Sequence, residues 1–208
     1  MLKVAHFLKK IEAGVDEAGR GPLFGRVYAA AVILNPELEY DGKLIKDSKK
    51  LSKKKILESE QYVKEMAIDW SVAYSDEKRI DEINILHATQ EAMHKAIDNL
   101  NVRPDHLLID GNYFSPYKKV NSMCVVKGDS TYLSIAAASI LAKTARDRYV
   151  RELCEKIPEL DNYYGLLSNK GYGSKSHLEG IQNHGISKFH RKTFGRCRDS
   201  KLNKHIKY

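Results

Sequence analysis

The alternation of apolar and polar positions predicts five β-strands. The second strand is apolar on both faces and is therefore central in its sheet. The five predicted strands cover residues 11–17, 27–34, 68–74, 106–109 and 123–126. Because helical segments separate several of these strands, the pattern predicts an α/β domain with a mixed central sheet flanked by helices.

Apolar residues at helical spacing predict helices between and after the strands. Small Ala and Ser side chains in the first half of the longest helix allow it to approach a sheet closely. Glycines between Gly165 and Gly173 predict a loop before the last helix. The predicted helices cover residues 56–67, a short acidic segment, and residues 85–100, about 131–156 and about 176–183. The first is preceded by an N-cap at Ser52, the acidic segment by one at Ser75 or Asp76, and the third helix by one at Asn84.

Length and composition exclude several classes of protein. A chain of 208 residues corresponds to about one domain, and 42% hydrophobic residues are enough for a core. The apolar run over residues 27–34 is far shorter than the roughly 20 residues of a transmembrane helix. The N-terminus alternates apolar and basic residues, so we expect no signal peptide. Three widely spaced cysteines favour free thiols in a reducing compartment, and we expect a cytoplasmic protein.

An excess of basic residues indicates a polyanionic partner. The chain has 35 Lys and Arg residues against 27 Asp and Glu residues, which gives a net charge of +8. Residues 189–208 contain seven basic residues and one acid, so these last twenty residues carry +6 of the excess. The charge therefore favours nucleic acid as a partner, but it does not identify the reaction.

Four carboxylates stand where strands and helices begin or end. Asp16 and Glu17 end the first strand, Asp110 ends the fourth, and Asp129 precedes the longest helix. Carboxylates at strand ends can converge on one edge of a twisted sheet, and Mg²⁺ or Mn²⁺ prefers such hard oxygen ligands. Two such ions can support phosphodiester hydrolysis.

Each carboxylate also has a purely structural interpretation. Asp129 could be a helix N-cap, and Asp110 with Gly111 could form an ordinary turn. Asp16 and Glu17 could be a solvated strand end. Local spacing alone leaves both interpretations open.

Two glycine-containing segments are candidate binding loops. Gly19, Gly21 and Gly25 follow a strand, but their spacing and the strand after them do not fit a dinucleotide-binding turn. They would instead let the backbone approach a sugar or phosphate closely, or simply form a tight turn. Tyr172 lies between two glycines, where it could stack on a sugar or base, or else close the edge of the core.

Seven segments together resemble the signature of the ribonuclease HII family, and they follow the family's order over about residues 10–195. The first and longest is the most specific. The segments are Gly14 to Pro22 (GVDEAGRGP), Asp47 to Leu51 (DSKKL), Ile109 to Gly111 (IDG), Lys127 to Asp129 (KGD), Ala138 to Lys143 (ASILAK) with Arg146 and Asp147, Lys170 to Gly173 (KGYG), and His190 to Phe194 (HRKTF).

The resemblance implies a ribonuclease-H-like fold with a C-terminal helical extension. We divide the chain accordingly into a catalytic domain over residues 1–155, a helical substrate-binding extension over 156–195 and a basic tail over 196–208. It also implies hydrolysis of the RNA strand of RNA–DNA hybrids and incision 5′ of single ribonucleotides in duplex DNA. Two Mg²⁺ or Mn²⁺ ions would serve this reaction, which leaves 3′-hydroxyl and 5′-phosphate ends.

The resemblance also assigns roles to residues of this chain. Asp16, Glu17, Asp110 and Asp129 resemble the catalytic metal ligands. Other positions resemble the family's substrate contacts: Gly19, Arg20 and Gly21 at the ribose 2′-hydroxyl, Tyr172 on the adjacent deoxyribose, and Lys49, Lys143, Arg146 and Lys170 near phosphates.

Two other functions fit the charge and the expected fold. One is a nucleic-acid-binding module without catalysis, although four acids facing a phosphate backbone would repel it. The other is a nuclease acting on DNA strands or branches. For the main hypothesis we expect a monomer that binds RNA–DNA hybrids and ribonucleotide-containing duplexes, without membrane association and with no identified protein partner.

Overall fold

The computed structural model describes residues 2–45 and 53–208, so the candidate Lys49 and the predicted N-cap Ser52 lie outside the described residues. The chain divides into two compact units. The first comprises Met1–Ala18, Tyr28–Tyr74 and Thr89–Ala145, and the second comprises Gly19–Val27, Ser75–Ala88 and Arg146–Tyr208.

The first unit is built on a five-stranded mixed sheet, as the strand pattern predicted. The strand order is β3-β2-β1-β4-β5. Strand β1 pairs antiparallel with β2 and parallel with β4, and β4 pairs parallel with β5. The strands are β1 (Glu12–Ala18), β2 (Val27–Ile33), β3 (Asp69–Ser75), β4 (His106–Asp110) and β5 (Asn121–Val125).

Three longer helices accompany the strands: α1 (Lys53–Met66), α2 (Glu77–Asp98) and α3 (Leu133–Lys156). Both faces of the sheet are covered, because side chains of each strand alternate between two cores. On one face, Val15 and Ile109 pack with Ile97 of α2. On the other face, Val32 packs with apolar residues of α1 and the small-residue half of α3.

Helix α3 lies directly against strand β1 at Gly14. A Cβ atom at Gly14 would overlap the carbonyl carbon of Ser134 and the amide nitrogen of Ile135. The alanines over 136–138 are fully buried, which confirms the close approach that the small residues of α3 predicted. Helix α3 begins at Leu133, two residues later than the sequence indicated, because residues 128–130 form a 3₁₀ turn.

Helix α2 contains the break that Asn84 predicted. Asn84 has φ 65° and ψ 168°, and its side-chain oxygen accepts hydrogen bonds from the backbone N–H groups of Leu86 (2.9 Å) and His87 (3.2 Å). Such side-chain capping satisfies N–H groups that begin a new helical segment. Residues 77–98 are thus two helical segments joined at an asparagine.

The second unit contains three shorter helices: α4 (Glu159–Tyr164), α5 (Leu166–Asn169) and α6 (Lys175–His184). Helix α6 agrees with the predicted helix over 176–183, and the side chain of Ser174 caps it. The prediction of a loop over 165–173 was wrong in part, because α5 occupies its beginning. Gly165 (φ 63°) and Lys170 (φ 54°) adopt left-handed conformations that limit α5 to a single turn.

The C-terminal residues pack within the second unit, against residues 186–188. Asn203 donates its backbone N–H to the carbonyl of Ile186 at 2.7 Å, and Ile206 is buried. The hydroxyl of Tyr208 accepts from the backbone N–H of Lys188 at 2.9 Å. These contacts hold the basic tail through backbone and apolar groups and leave most of its charged side chains exposed.

Two further sequence expectations concern cysteines and membranes. Cys124, Cys154 and Cys197 are free thiols, as their spacing predicted. Among the described helices, none combines the length and the apolar character that crossing a bilayer requires.

The close approach at Gly14 generates a stability prediction. Gly14→Ala should lower the free energy of unfolding by about 1–3 kcal/mol, since the added methyl forces α3 away from β1. Urea denaturation measures this change. Gly42→Ala is the matched control, because no atom of the described residues, its chain neighbours aside, lies within 4 Å of the position its Cβ would take. Equal stability of the two variants would contradict the tight contact.

Candidate active site

Parallel pairing of β1 with β4 places two candidate carboxylates at neighbouring strand ends. In this register Val15 lies opposite Ile109, and Asp16 and Asp110 are the next residues of their strands. Asp16 is 5% exposed, so a solvated strand end is excluded for this residue. The sheet topology therefore brings together acids that are 94 positions apart in the sequence.

Asp16 lies in an environment of unbalanced negative charge. Burial raises the pKa of its carboxyl well above the ordinary value, and the carboxylates of Glu17 and Asp110 raise the pKa further. Hydrogen bonds from Ser139 and from the backbone N–H of Glu17 (2.7 Å) act in the opposite direction. Three acids thus influence one another at the end of β1.

The segment before α3 is attached to the same acids. The backbone N–H of Gly128 donates to Oδ1 of Asp110 at 2.6 Å, and a Cβ at Gly128 would lie 3.2 Å from that oxygen. The next residue, Asp129, is buried within the 3₁₀ turn. Because α3 starts four residues later, Asp129 is not its N-cap, and that alternative is excluded.

The donor set fits a divalent cation. Hard carboxylate oxygens are the ligands that Mg²⁺ and Mn²⁺ prefer, and a cation would compensate the repulsion that raises the pKa of Asp16. Within residues 2–45 and 53–208, no three Asp, Glu, His or Cys side chains already form a closed ligand cluster. The fit rests on burial and charge rather than on a preformed coordination geometry.

The glycine motif belongs to the second unit, where it forms a tightly folded loop that we call the GRG loop (residues 19–25). Gly19 and Gly25 have φ values of 95° and 76°, which side-chain-bearing residues rarely adopt. A Cβ at Gly19 would overlap the guanidinium of Arg146. The side chain of Arg20 is exposed at the loop surface. The glycines are therefore required by the backbone conformation and by packing.

Tyr172 lies beside this loop and is not part of the core. Its side chain is 52% exposed, which excludes the interpretation of Tyr172 as a core-edge plug. A Cβ at Gly21 would contact Cε1 of its ring at 3.4 Å, and the guanidinium of Arg146 lies 5.9 Å from the ring centre. An exposed aromatic ring beside an exposed glycine forms a flat surface on which a sugar can pack.

Two buried histidines hold the backbone of Tyr172. The N–H of Ser187 donates to Nδ1 of His190 (3.0 Å), so the Nε2 of His190 carries the hydrogen. That group donates to Nε2 of His177 (2.9 Å), whose Nδ1–H donates to the carbonyl of Tyr172 (2.9 Å). The three bonds can form together only when both rings are neutral, because Nδ1 of His190 and Nε2 of His177 must each accept a hydrogen bond. Burial lowers the pKa of both histidines, and for His190 the proximity of His177 lowers it further.

The basic candidates occupy different environments. Arg146 is buried and donates to the backbone carbonyls of Phe24 (3.3 Å) and Lys170 (2.8 Å). Lys170 and Lys143 are half-buried. Contact between these side chains and substrate phosphates stays a prediction, while Arg146 also has a structural role beneath the GRG loop.

Sequence reasoning assigned no role to three residues that shape the site. These are Ser139, which bonds Asp16, and the buried His190 and Arg191. The last two belong to the HRKTF segment, whose similarity to the family signature was the available signal. Their function depends on contacts with residues far away along the chain, which spacing could not indicate.

A mixed five-stranded sheet with acids at the neighbouring ends of β1 and β4, one of them the buried Asp16, defines a ribonuclease-H-like α/β protein. A family model described as ribonuclease HII matches residues 13–197. The ribonuclease HII of Parabacteroides distasonis is 54% identical over 185 residues, which cover 89% of this chain and 90% of the relative. The chain belongs to the ribonuclease HII family, and it is an endoribonuclease of RNA–DNA hybrids.

Solved structures agree with this fold. The ribonuclease H2 of Pyrococcus horikoshii OT3 has a TM-score of 0.73 and 25% identity, and the match covers 90% of this chain and 95% of that one. Bst-RNase HIII, solved in complex with Mn²⁺, has a TM-score of 0.63 and 20% identity, and the match covers 90% of this chain and 68% of that one. The expected ribonuclease-H-like fold is thereby confirmed.

The histidine pair generates a pH-dependent prediction. Because the pKa values in the folded protein lie below the ordinary 6.5, the unfolded chain binds protons first as the pH falls. The stabilisation from neutral rings is complete above about pH 6.5 and declines below it. Urea denaturation should therefore show that the stability difference between the wild-type protein and His177→Gln shrinks from pH 7.5 to 5.5.

The exposed His205 provides the control for this experiment. His205→Gln removes a ring outside the buried pair and should leave the pH dependence of stability unchanged. A difference between the wild-type protein and His177→Gln that is independent of pH would contradict neutral histidines in the folded state.

Proposed function

We propose that this ribonuclease cleaves the RNA strand of RNA–DNA hybrids and also cuts 5′ of a single ribonucleotide embedded in duplex DNA. The products carry 3′-hydroxyl and 5′-phosphate ends. The enzyme acts as a monomer in the cytoplasm, where its free thiols remain reduced. The observation that carries the proposal is the group of neighbouring acids at the ends of β1 and β4, in which Asp16 is buried.

Two divalent ions, Mg²⁺ or Mn²⁺, would be held by Asp16, Glu17, Asp110 and Asp129. Bound ions of this kind supply an activated water and stabilise the leaving oxygen in phosphodiester hydrolysis. Asp110 is oriented for this role by the backbone N–H of Gly128, and Asp16 by Ser139 and the N–H of Glu17. The chain thus orients two of the four carboxylates through its own hydrogen bonds.

Recognition of the ribonucleotide is assigned to the GRG loop and Tyr172. A ribose 2′-hydroxyl is the group that distinguishes RNA from DNA at one position. Reading it requires close approach of backbone donors, which Gly19 and Gly21 permit because they carry no side chain. The exposed ring of Tyr172 packs on the neighbouring deoxyribose. Lys143 and Lys170, with Lys49 outside the described residues, are the candidate phosphate contacts.

The metal ligands are tested by removing single charges. Asp110→Asn and Asp129→Asn should each reduce cleavage of a duplex with one ribonucleotide by roughly 100-fold or more. Loss of a residue that only hydrogen-bonds to a metal ligand already lowers activity or metal affinity by about 10- to 100-fold. Asn at position 110 can still accept from Gly128, so the fold is retained. Calorimetric titration with Mn²⁺ should show weaker binding by both variants.

Asp199→Asn is the matched control, because Asp199 is exposed and belongs to the second unit. Unchanged turnover of Asp110→Asn and Asp129→Asn would refute the ligand assignment. An all-DNA duplex run in parallel separates the alternatives: cutting of that duplex favours a DNA nuclease, and binding without cutting in excess Mg²⁺ favours a binding module.

Tyr172 is tested by a pair of substitutions. Tyr172→Ala should reduce incision at a single ribonucleotide by about 10- to 100-fold, the value of one ring stacked on a nucleotide. Tyr172→Phe keeps the ring and should retain most activity. Because Tyr172 is half exposed, thermal unfolding should change little in either variant. Equal cleavage by the Ala and Phe variants would contradict a role for the ring.

A further inference from the structure

Arg191 is a fully buried arginine whose guanidinium lies inside the GRG loop. It is 0% exposed. Nε donates to the carbonyl of Gly25 (2.8 Å), Nη1 to the carbonyls of Arg20 (2.9 Å) and Pro22 (2.7 Å), and Nη2 to that of Gly19 (2.6 Å). One side chain therefore binds four of the seven carbonyl groups of a loop that lies more than 160 positions away in the sequence.

The hydrogen bonds to the loop carbonyls explain how the charged guanidinium of Arg191 can be fully buried. A buried charge destabilises the fold unless hydrogen bonds satisfy it, and the planar fork of arginine can donate five bonds in fixed directions. Burial and the charge of Arg146 lower the pKa of Arg191 to about 9, so the guanidinium stays charged at neutral pH. The loop carbonyls are thus its compensating partners.

The contacts determine where the loop directs its amide groups. In a trans peptide the C=O and the following N–H point in opposite directions, and the described residues contain no cis peptide. Drawing the carbonyls of Gly19 and Arg20 towards Arg191 therefore turns the N–H groups of Arg20 and Gly21 away from it. A positive charge on the carbonyl side also polarises these peptides and strengthens their N–H donors.

Neighbouring contacts fix the segment that carries Arg191. The carboxylate of Asp81 accepts the backbone N–H groups of Lys192 and Thr193, both at 2.9 Å. The preceding residue, His190, donates a hydrogen bond to His177, which in turn donates to the carbonyl of Tyr172. Two adjacent residues, His190 and Arg191, thereby tie the GRG loop and Tyr172 to one segment.

We propose that Arg191 is a positioning residue for ribonucleotide recognition, which holds the GRG loop with its N–H groups directed to the ribose without touching the substrate. This inference rests on the proposed role of the GRG loop. Lysine cannot replace arginine here, because an ammonium has three donors and no planar fork that could reach four carbonyls.

Arg191→Lys tests the proposal in two independent ways. Without nucleic acid, amide hydrogen exchange over residues 19–25 should accelerate, while exchange in the strands of the first unit stays unchanged. With a single-ribonucleotide duplex, kcat should fall on the order of 100-fold, the effect of a misplacement of about 1 Å. KM should change less than about threefold, since phosphate contacts dominate ground-state binding.

Arg151→Lys is the control, because Arg151 is exposed and its ion pair with Glu155 suits either residue. Unchanged loop exchange, unchanged kcat, or a loss confined to KM would each overturn the proposal. If Arg191→Lys does not fold, Asp81→Ala loosens the same segment from its half-exposed side and should produce smaller changes in the same direction. An absence of those changes would also overturn it.

The wild-type protein separates this inference from the proposed function. Failure of the wild-type protein to cut a duplex with one ribonucleotide would refute the proposed function. The exchange experiment needs no substrate, so it would still decide whether Arg191 holds the loop.

Discussion

Negative charge concentrated around the buried carboxyl of Asp16 is the constraint around which the first unit is organised. Burial of Asp16 raises its pKa, the neighbouring carboxylates of Glu17 and Asp110 raise it further, and a divalent cation would compensate the negative charge of these groups. The glycine at position 14 admits α3, which brings Ser139 to Asp16. The same arrangement of acids therefore lowers the stability of the fold and provides the ligands for a cation, a combination that is common at functional sites.

In the second unit, buried side chains hold irregular loops in place through hydrogen bonds to the loop backbone. The GRG loop has few regular backbone hydrogen bonds of its own, and Arg191 supplies partners for four of its carbonyls. The hydrogen-bonded pair of neutral histidines, His177 and His190, supplies a donor to the carbonyl of Tyr172. Buried polar networks of this kind are stable only when every member is satisfied, so they specify one loop conformation.

Local pattern predicted most elements but not all of their limits. Strand β2 was evident from its continuous apolar run, and the break at Asn84 from its capping chemistry. Helix α5 was missed, because a single turn that follows Gly165 and precedes Gly171 and Gly173 resembles a loop when only local sequence is considered. The N-cap interpretation of Asp129 could be excluded only when the 3₁₀ turn before α3 was known.

The sequence by itself determined the family, the candidate acids and the alternating strands and helices, because these depend on residue identity and short-range spacing. Tertiary structure decided which acids share one environment, since the parallel register of β1 and β4 joins residues 94 positions apart. It also decided that Arg191 serves a loop at the other end of the chain. Such contacts depend on how the backbone folds back on itself, which no local pattern of side chains encodes.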